Sequence, residues 1–147
     1  MMQKEYPEEC IRGVSDSNNL SENNTAIFAS VFEFGQNHCN DGWIEESINW
    51  KDDKRAVNFT LKQKKRGENQ FQYIAVAIIP RDVLDDIKKK YIFSNSFDYE
   101  RSPIKKVNPL EKVNPYHGNL LMKKETERRL KTIIKSTLAY NSKIIMR

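Results

Sequence analysis

The sequence predicts an α+β fold: a small mixed or antiparallel sheet of about four to six strands with two main helices, at about 80–91 and 124–140. Three observations carry this. Short apolar or alternating runs rich in β-branched and aromatic residues recur through the first 79 positions. Two later segments show helical periodicity. The length, 147 residues, suits a single domain with its own core and no disulfide framework. With 38% hydrophobic and 31% charged residues the composition is that of a folded chain.

In chain order, Cys10 to Val14 (CIRGV) reads as a first strand, and SDSNNLSENNT as a polar turn-forming loop. Ala26 to Phe34 (AIFASVFEF) reads as a strand from its aromatic and β-branched content. Trp43 to Trp50 (WIEESINW) fits a strand or a helix capped by Asp41. Val57, Phe59 and Leu61 alternate with Asn58, Thr60 and Lys62, which predicts a half-buried strand. Its hairpin with 43–50 would set Trp50 against Ala56 and Glu46 against Thr60. Phe71 to Ile79 is almost continuously apolar, as in a central strand covered on both faces.

Pro80 then opens a helix through Tyr91, with acids in its first turns and lysines in its last, complementing the helix dipole. From about 92 to 116 no period is visible, and a loop of that length in a compact domain is usually functional or disordered. Asn119 to Met122 suits a short strand. Glu125 to Tyr140 predicts a helix with Leu130, Ile133, Ile134 and Leu138 inward and Arg128, Arg129, Lys131 and Lys135 outward.

Within the long loop the tetrapeptide Lys-Val-Asn-Pro occurs twice, from Lys106 and from Lys112. Asn before Pro disfavours helix, so 103–115 reads as extended and stiff. The six-residue offset sets Val107 and Val113 on one side, about 19 to 20 Å apart. This is a strap with two apolar feet, resting on the core or on a partner, and it runs into Tyr116-His117.

Several chemistries are excluded or weakly supported. The only Cys and His residues, Cys10, His38, Cys39 and His117, lack paired zinc spacing, and adjacent His38 and Cys39 would face opposite sides of an extended chain, so no metal is expected. No glycine-rich phosphate loop occurs, and no cofactor is expected. Arg12-Gly13 in the first strand does not amount to a cofactor site. His117 with Cys39 or Cys10 is the outside candidate for a nucleophilic pair. The stretch DDKRAVNFTLKQKK resembles the acid then Gln/Glu-x-Lys pattern of the PD-(D/E)xK nucleases. On one extended strand, however, Asp53 and Gln63 would stand roughly 33 Å apart, too far to share a metal.

Charge is uneven: residues 1–60 carry −6 and residues 61–147 carry +11. The basic half offers Lys64, Lys65 and Arg66 beside a turn and Arg128, Arg129, Lys131 and Lys135 on the last helix to a polyanion. Two cysteines and the absence of any apolar run of about 20 residues point to a cytoplasmic, non-membrane protein. Lys, Asn and Ile make up 45 of the 147 residues, as in AT-rich prokaryotes or phages. The leading expectation is an accessory or adaptor protein, not an enzyme, that binds a protein partner through the 92–117 loop (Val107, Val113, Tyr116, His117) and the basic last helix. The alternative is nucleic-acid binding by the basic half, and a Cys-His or nuclease-like enzyme comes third.

Overall fold

Sequence-distant strands meet in one antiparallel sheet in the computed structural model, which describes residues 6–63, 72–105 and 113–147. The strands are β1 (Glu9–Val14), β2 (Gln36–Asn37), β3 (Trp43–Trp50), β4 (Ala75–Pro80), β5 (Phe97–Arg101), β6 (His117–Lys123) and β7 (Lys143–Met146). The helices are α1 (Arg55–Lys62), α2 (Arg81–Lys90) and α3 (Arg128–Tyr140). Sheet order is β5-β6-β3-β1-β4-β7, with β2 added beside β3. The fold is therefore α+β, with seven strands and three helices among the described residues rather than four to six and two.

Side-chain alternation gives the sheet two unlike faces. One carries Cys10, Val14, Ile48, Trp50, Ala77, Ile79, Leu120 and Met122 into the main core. Leu84 and Ile87 of α2, Ile134 and Leu138 of α3, and Ile27, Val31, Phe32 and Phe34 cover it. Among the described residues the other face is capped only in part: Ala56 and Leu61 of α1 and the ring of Tyr116 lie over Ile11, Val76 and Ile78. β4 is thus covered on both sides, which explains its unbroken apolar run.

Trp50 is fully buried and its indole spreads over Gly118, where any Cβ would collide with the ring and with the Glu100 carbonyl. The indole Nε1–H donates to that carbonyl at 3.0 Å, and Tyr6 and Tyr99 pack around the ring at 5.0 and 5.4 Å between centroids.

Four expectations are corrected. Residues 26–34 are not a strand: Ala29–Val31 form a single 3₁₀ turn and Phe34 takes a left-handed backbone with φ 49°, so the segment lies on the core as an apolar lid. Val57 to Leu61 belong to α1, because Ala56 and Thr60, four apart, form the buried stripe and the Thr60 hydroxyl returns to the Ala56 carbonyl at 2.8 Å. The 43–50/56–63 hairpin is consequently absent, and Glu46 stands opposite Leu120. The stretch 92–116 is no open loop, since it contains β5.

Glu46 and Arg12 point into the main core and meet at 2.5 Å. Glu46 Oε1 accepts the Phe34 N–H at 2.7 Å, and Arg12 Nη2 donates to the Val31 carbonyl at 3.2 Å. One ion pair thereby fastens the apolar lid to the sheet. Removing one member leaves the other charge buried without its partner. Glu46→Leu, which leaves the Arg12 charge unpaired and the Phe34 N–H without its acceptor, is expected to cost about 3 kcal/mol or more in urea unfolding.

Candidate functional site

The uncapped part of the second sheet face is polar. Opposite the Trp50 side, β3 presents Glu45, Ser47 and Asn49, β6 presents His117, Asn119 and Leu121, and β5 presents Asp98 and Glu100. Register aligns Ser47, Asn119 and Glu100 in one row and Asn49 with His117 in the next. His38, just beyond β2, has its ring buried and joins this row. Its Nδ1 accepts the Asn40 N–H at 3.0 Å, which assigns the proton to Nε2, and Nε2–H donates to Glu100 Oε2 at 2.9 Å. Asn119 Nδ2 donates to the same oxygen at 2.8 Å. The other oxygen of Asn119, Oδ1, is buried without a hydrogen-bond partner. His117 Nδ1–H donates to the Ser102 carbonyl at 2.9 Å, leaving Nε2 as an acceptor.

The Glu45 carboxyl makes no hydrogen bond or ion pair among the described residues. Burial raises its pKa above the ordinary glutamate value; His38 and His117 pull it down and Glu100 pushes it up. A carboxyl held against its own solvation beside a second carboxylate marks a functional-site candidate.

The predicted nucleophilic pair is not assembled. Cys10 is buried in the core and its thiol pKa is pushed well up by that burial, so it is no thiolate. Cys39 is exposed, and its sulfur lies against the neighbouring His38 ring rather than on the opposite side, 3.7 Å from Nδ1 and 3.9 Å from Nε2. Near-equal distances to both nitrogens describe contact with the ring, not a directed proton acceptor. His117 is occupied by Ser102 instead of a cysteine. The nuclease arrangement is also missing. Asp53 and Gln63 bracket a helix, so they stand about 15 Å apart rather than 33. Asp53 accepts from the Tyr116 hydroxyl at 3.1 Å while Gln63 accepts from Asn49 at 2.8 Å. Among the described residues no group of three or more His, Cys, Asp or Glu is arranged to hold a metal ion.

Of the predicted strap, residues 106–112 lie outside the described residues. Ile104 and Asn114 exchange backbone hydrogen bonds of 2.8 and 2.9 Å, an antiparallel bridge just beyond the β5–β6 ladder. Asn114 is buried, donating to Asn49 Oδ1 at 2.8 Å and accepting the Tyr116 N–H at 3.0 Å. Tyr116 packs on Phe59 in the smaller core, Val113 is exposed, and Val107 lies outside the described residues. Of the four expected partner-binding residues, only His117 stands on the polar face.

Among the polyanion candidates, Lys64, Lys65 and Arg66 lie outside the described residues. Arg128 and Arg129 are exposed at the start of α3, with no acidic side chain in ion-pair reach among the described residues. Lys131 Nζ donates to the Lys124 carbonyl at 2.7 Å and Lys135 Nζ to the Glu33 carbonyl at 3.5 Å.

A second surface escaped the sequence reading. After α2 the chain makes a tight turn that exposes Ile92 at 64% and Phe93 at 103%. The turn is pinned: Asn95 N–H donates to Tyr91 O at 2.9 Å, Ser94 Oγ to the same carbonyl at 3.1 Å, and Lys123 N–H to Ser96 O at 3.0 Å. Lys89 and Lys90 precede it, and Lys123 reaches the Ser94 carbonyl at 3.4 Å. Sequence could have revealed the polar face through the alternation of Asp98 and Glu100 with Phe97 and Tyr99, a two-residue period inside the supposed loop. Searched against family models, curated proteins and solved structures, the chain matches none.

Glu45 supplies a pH test. Its folded pKa lies above the unfolded one, so the native state holds the neutral form more readily, and the ionised form costs stability once pH passes the folded value. Glu45→Gln, which mimics the protonated carboxyl, is expected to raise the urea midpoint at pH 7. The gain should fade as pH falls through the raised folded value and be gone below the ordinary glutamate value near 4.5. A gain independent of pH would contradict the assignment.

Proposed function

We propose that the protein is a small adaptor that docks on a protein partner through the Ile92–Phe93 turn and the basic residues around it. The observation that supports this reading is the full exposure of Phe93 beside exposed Ile92 in a turn fixed by backbone bonds. Leaving such side chains in water gives up burial worth about 1.5–3 kcal/mol each, so a partner that covers them gains it. A pinned turn loses little conformational entropy on docking, and large aromatics dominate the binding energy of many interfaces. Lys89 and Lys90 just before the turn and Lys123, which reaches the Ser94 carbonyl, favour an acidic partner surface.

Exposed Arg128 and Arg129 favour a second reading, nucleic-acid binding. The two separate in experiment. A photo-cross-linking residue at position 93 should capture one protein in cells of origin. Affinity of that purified protein should fall at least ~30-fold (about 2 kcal/mol) on Phe93→Ala. Equal capture from a control position such as Glu22, or an unchanged affinity, would sink the docking turn. Oligonucleotide anisotropy that collapses by ~10³-fold between about 50 and 200 mM salt would favour nucleic acid instead.

A further inference from the structure

The polar sheet face has a one-sided hydrogen-bonding character. Its ring and amide donors are turned inward: His38 Nε2–H and Asn119 Nδ2 serve Glu100 Oε2, and His117 Nδ1–H serves the Ser102 carbonyl. What remains on offer is mostly acceptors, namely Glu100 Oε1, the Glu45 carboxyl, His117 Nε2 and Asn119 Oδ1. Asn119 is 4% exposed and its Oδ1 has no partner, a costly arrangement in the absence of a donor from outside. The Ser47 hydroxyl, on the same row, can act either way.

We infer that Glu45, Glu100, Asn119 and His117 form a binding site for an alkyl guanidinium or ammonium group. The inference stands apart from the docking turn, because it rests on different residues and a different face. Charge complementarity selects the cation: of the three carboxylates on this face Asp98 is paired with Lys88 at 2.9 Å, whereas Glu45 and Glu100 have no Lys or Arg in ion-pair distance among the described residues. Spacing favours the guanidinium. The acceptors come from three neighbouring strands about 4.8 Å apart, so a planar group with several N–H donors spans them better than a point charge does. Glu45 sits diagonally across from Asn119, and its carboxyl bonds no other group among the described residues, so it is free to turn toward the ligand.

The probes are N-acetyl-arginine amide, its uncharged isostere N-acetyl-citrulline amide, an arginine-containing peptide and spermidine, titrated in turn while the Asn119 side-chain amide and His117 ring signals are followed by NMR. Saturable shifts are expected with the arginine probe and not with the citrulline one. Glu45→Gln with Glu100→Gln should weaken binding at least ~10-fold (about 1.4 kcal/mol). Glu45→Gln alone, whose carboxyl bonds nothing, keeps the test open where loss of the His38 contact disturbs the fold. A peptide that outbinds spermidine identifies a protein side chain as the source, and the reverse order identifies a free polyamine. Equal shifts from citrulline, no saturable shift by about 20 mM arginine probe, or unchanged binding by Glu45→Gln and by a folded double variant would each overturn the site.

Discussion

The buried ion pair between Glu46 and Arg12 sits where the sheet changes neighbours. β3 pairs with β1 only at Asn49 and Trp50, and with β2 only at Ile44 and Glu45. Glu46 falls between those contacts, where no strand lies hydrogen-bonded on that side. Apolar residues at 46 and 12 would leave the Phe34 N–H and the Val31 carbonyl, in that order, without the side-chain partners they now have. The carboxylate and guanidinium satisfy both, and so let an irregular segment with a left-handed residue close the core in place of another strand.

Covering one face with a lid and two helices has a consequence for the other. Among the described residues most large apolar side chains are used on the Trp50 side, and the short helix α1 and the Tyr116 ring shield the far face. Helix α1 reaches β1, β4 and the Asn49 end of β3, and beyond it β3, β5 and β6 carry acids, amides and a histidine. Aromatic packing of Tyr6, Trp50 and Tyr99 behind these strands holds the polar side chains on a firm backing. The glycine after His117 belongs to this backing rather than to a mobile loop, because the indole occupies the room a side chain would need.

The sequence disclosed the elements whose burial follows a simple period: β1, the continuous run of β4, the helices α2 and α3, and the existence of β6. It misled where two periods coincide. Val57, Phe59 and Leu61 alternate like a strand, yet Ala56 and Thr60 are small enough to escape notice while forming the helical contact stripe. The better signal was Asp53, whose side chain accepts the Arg55 N–H at 2.8 Å at the helix start. Segment 26–34 failed for another reason: Ile27, Val31, Phe32 and Phe34 are all buried with no constant spacing, because a lid follows the shape of the core beneath it. β7, only four residues long, was too short to register. Of the polar face, only His117 was singled out for function. The face depends on three strand registers and on a histidine brought across from β2, none of which local pattern encodes.

The repeated Lys-Val-Asn-Pro shows how local stiffness and tertiary demand divide the work. Asn-Pro does keep Asn114 out of a helix, but the function of that constraint is to present a side-chain amide to Asn49, not to lay a valine on a partner. Asn49 in turn holds Thr60 and Gln63, so hairpin, central strand and α1 are joined by one chain of satisfied amides. That network borders the row containing Asn119, where the satisfaction stops. Of the buried side-chain polar atoms among the described residues, Asn119 Oδ1 and Thr126 Oγ1 alone lack a partner. Asn119 Oδ1 is thus where the chain of satisfied amides ends, one row from Glu45, whose carboxyl is held above its ordinary pKa mainly by burial.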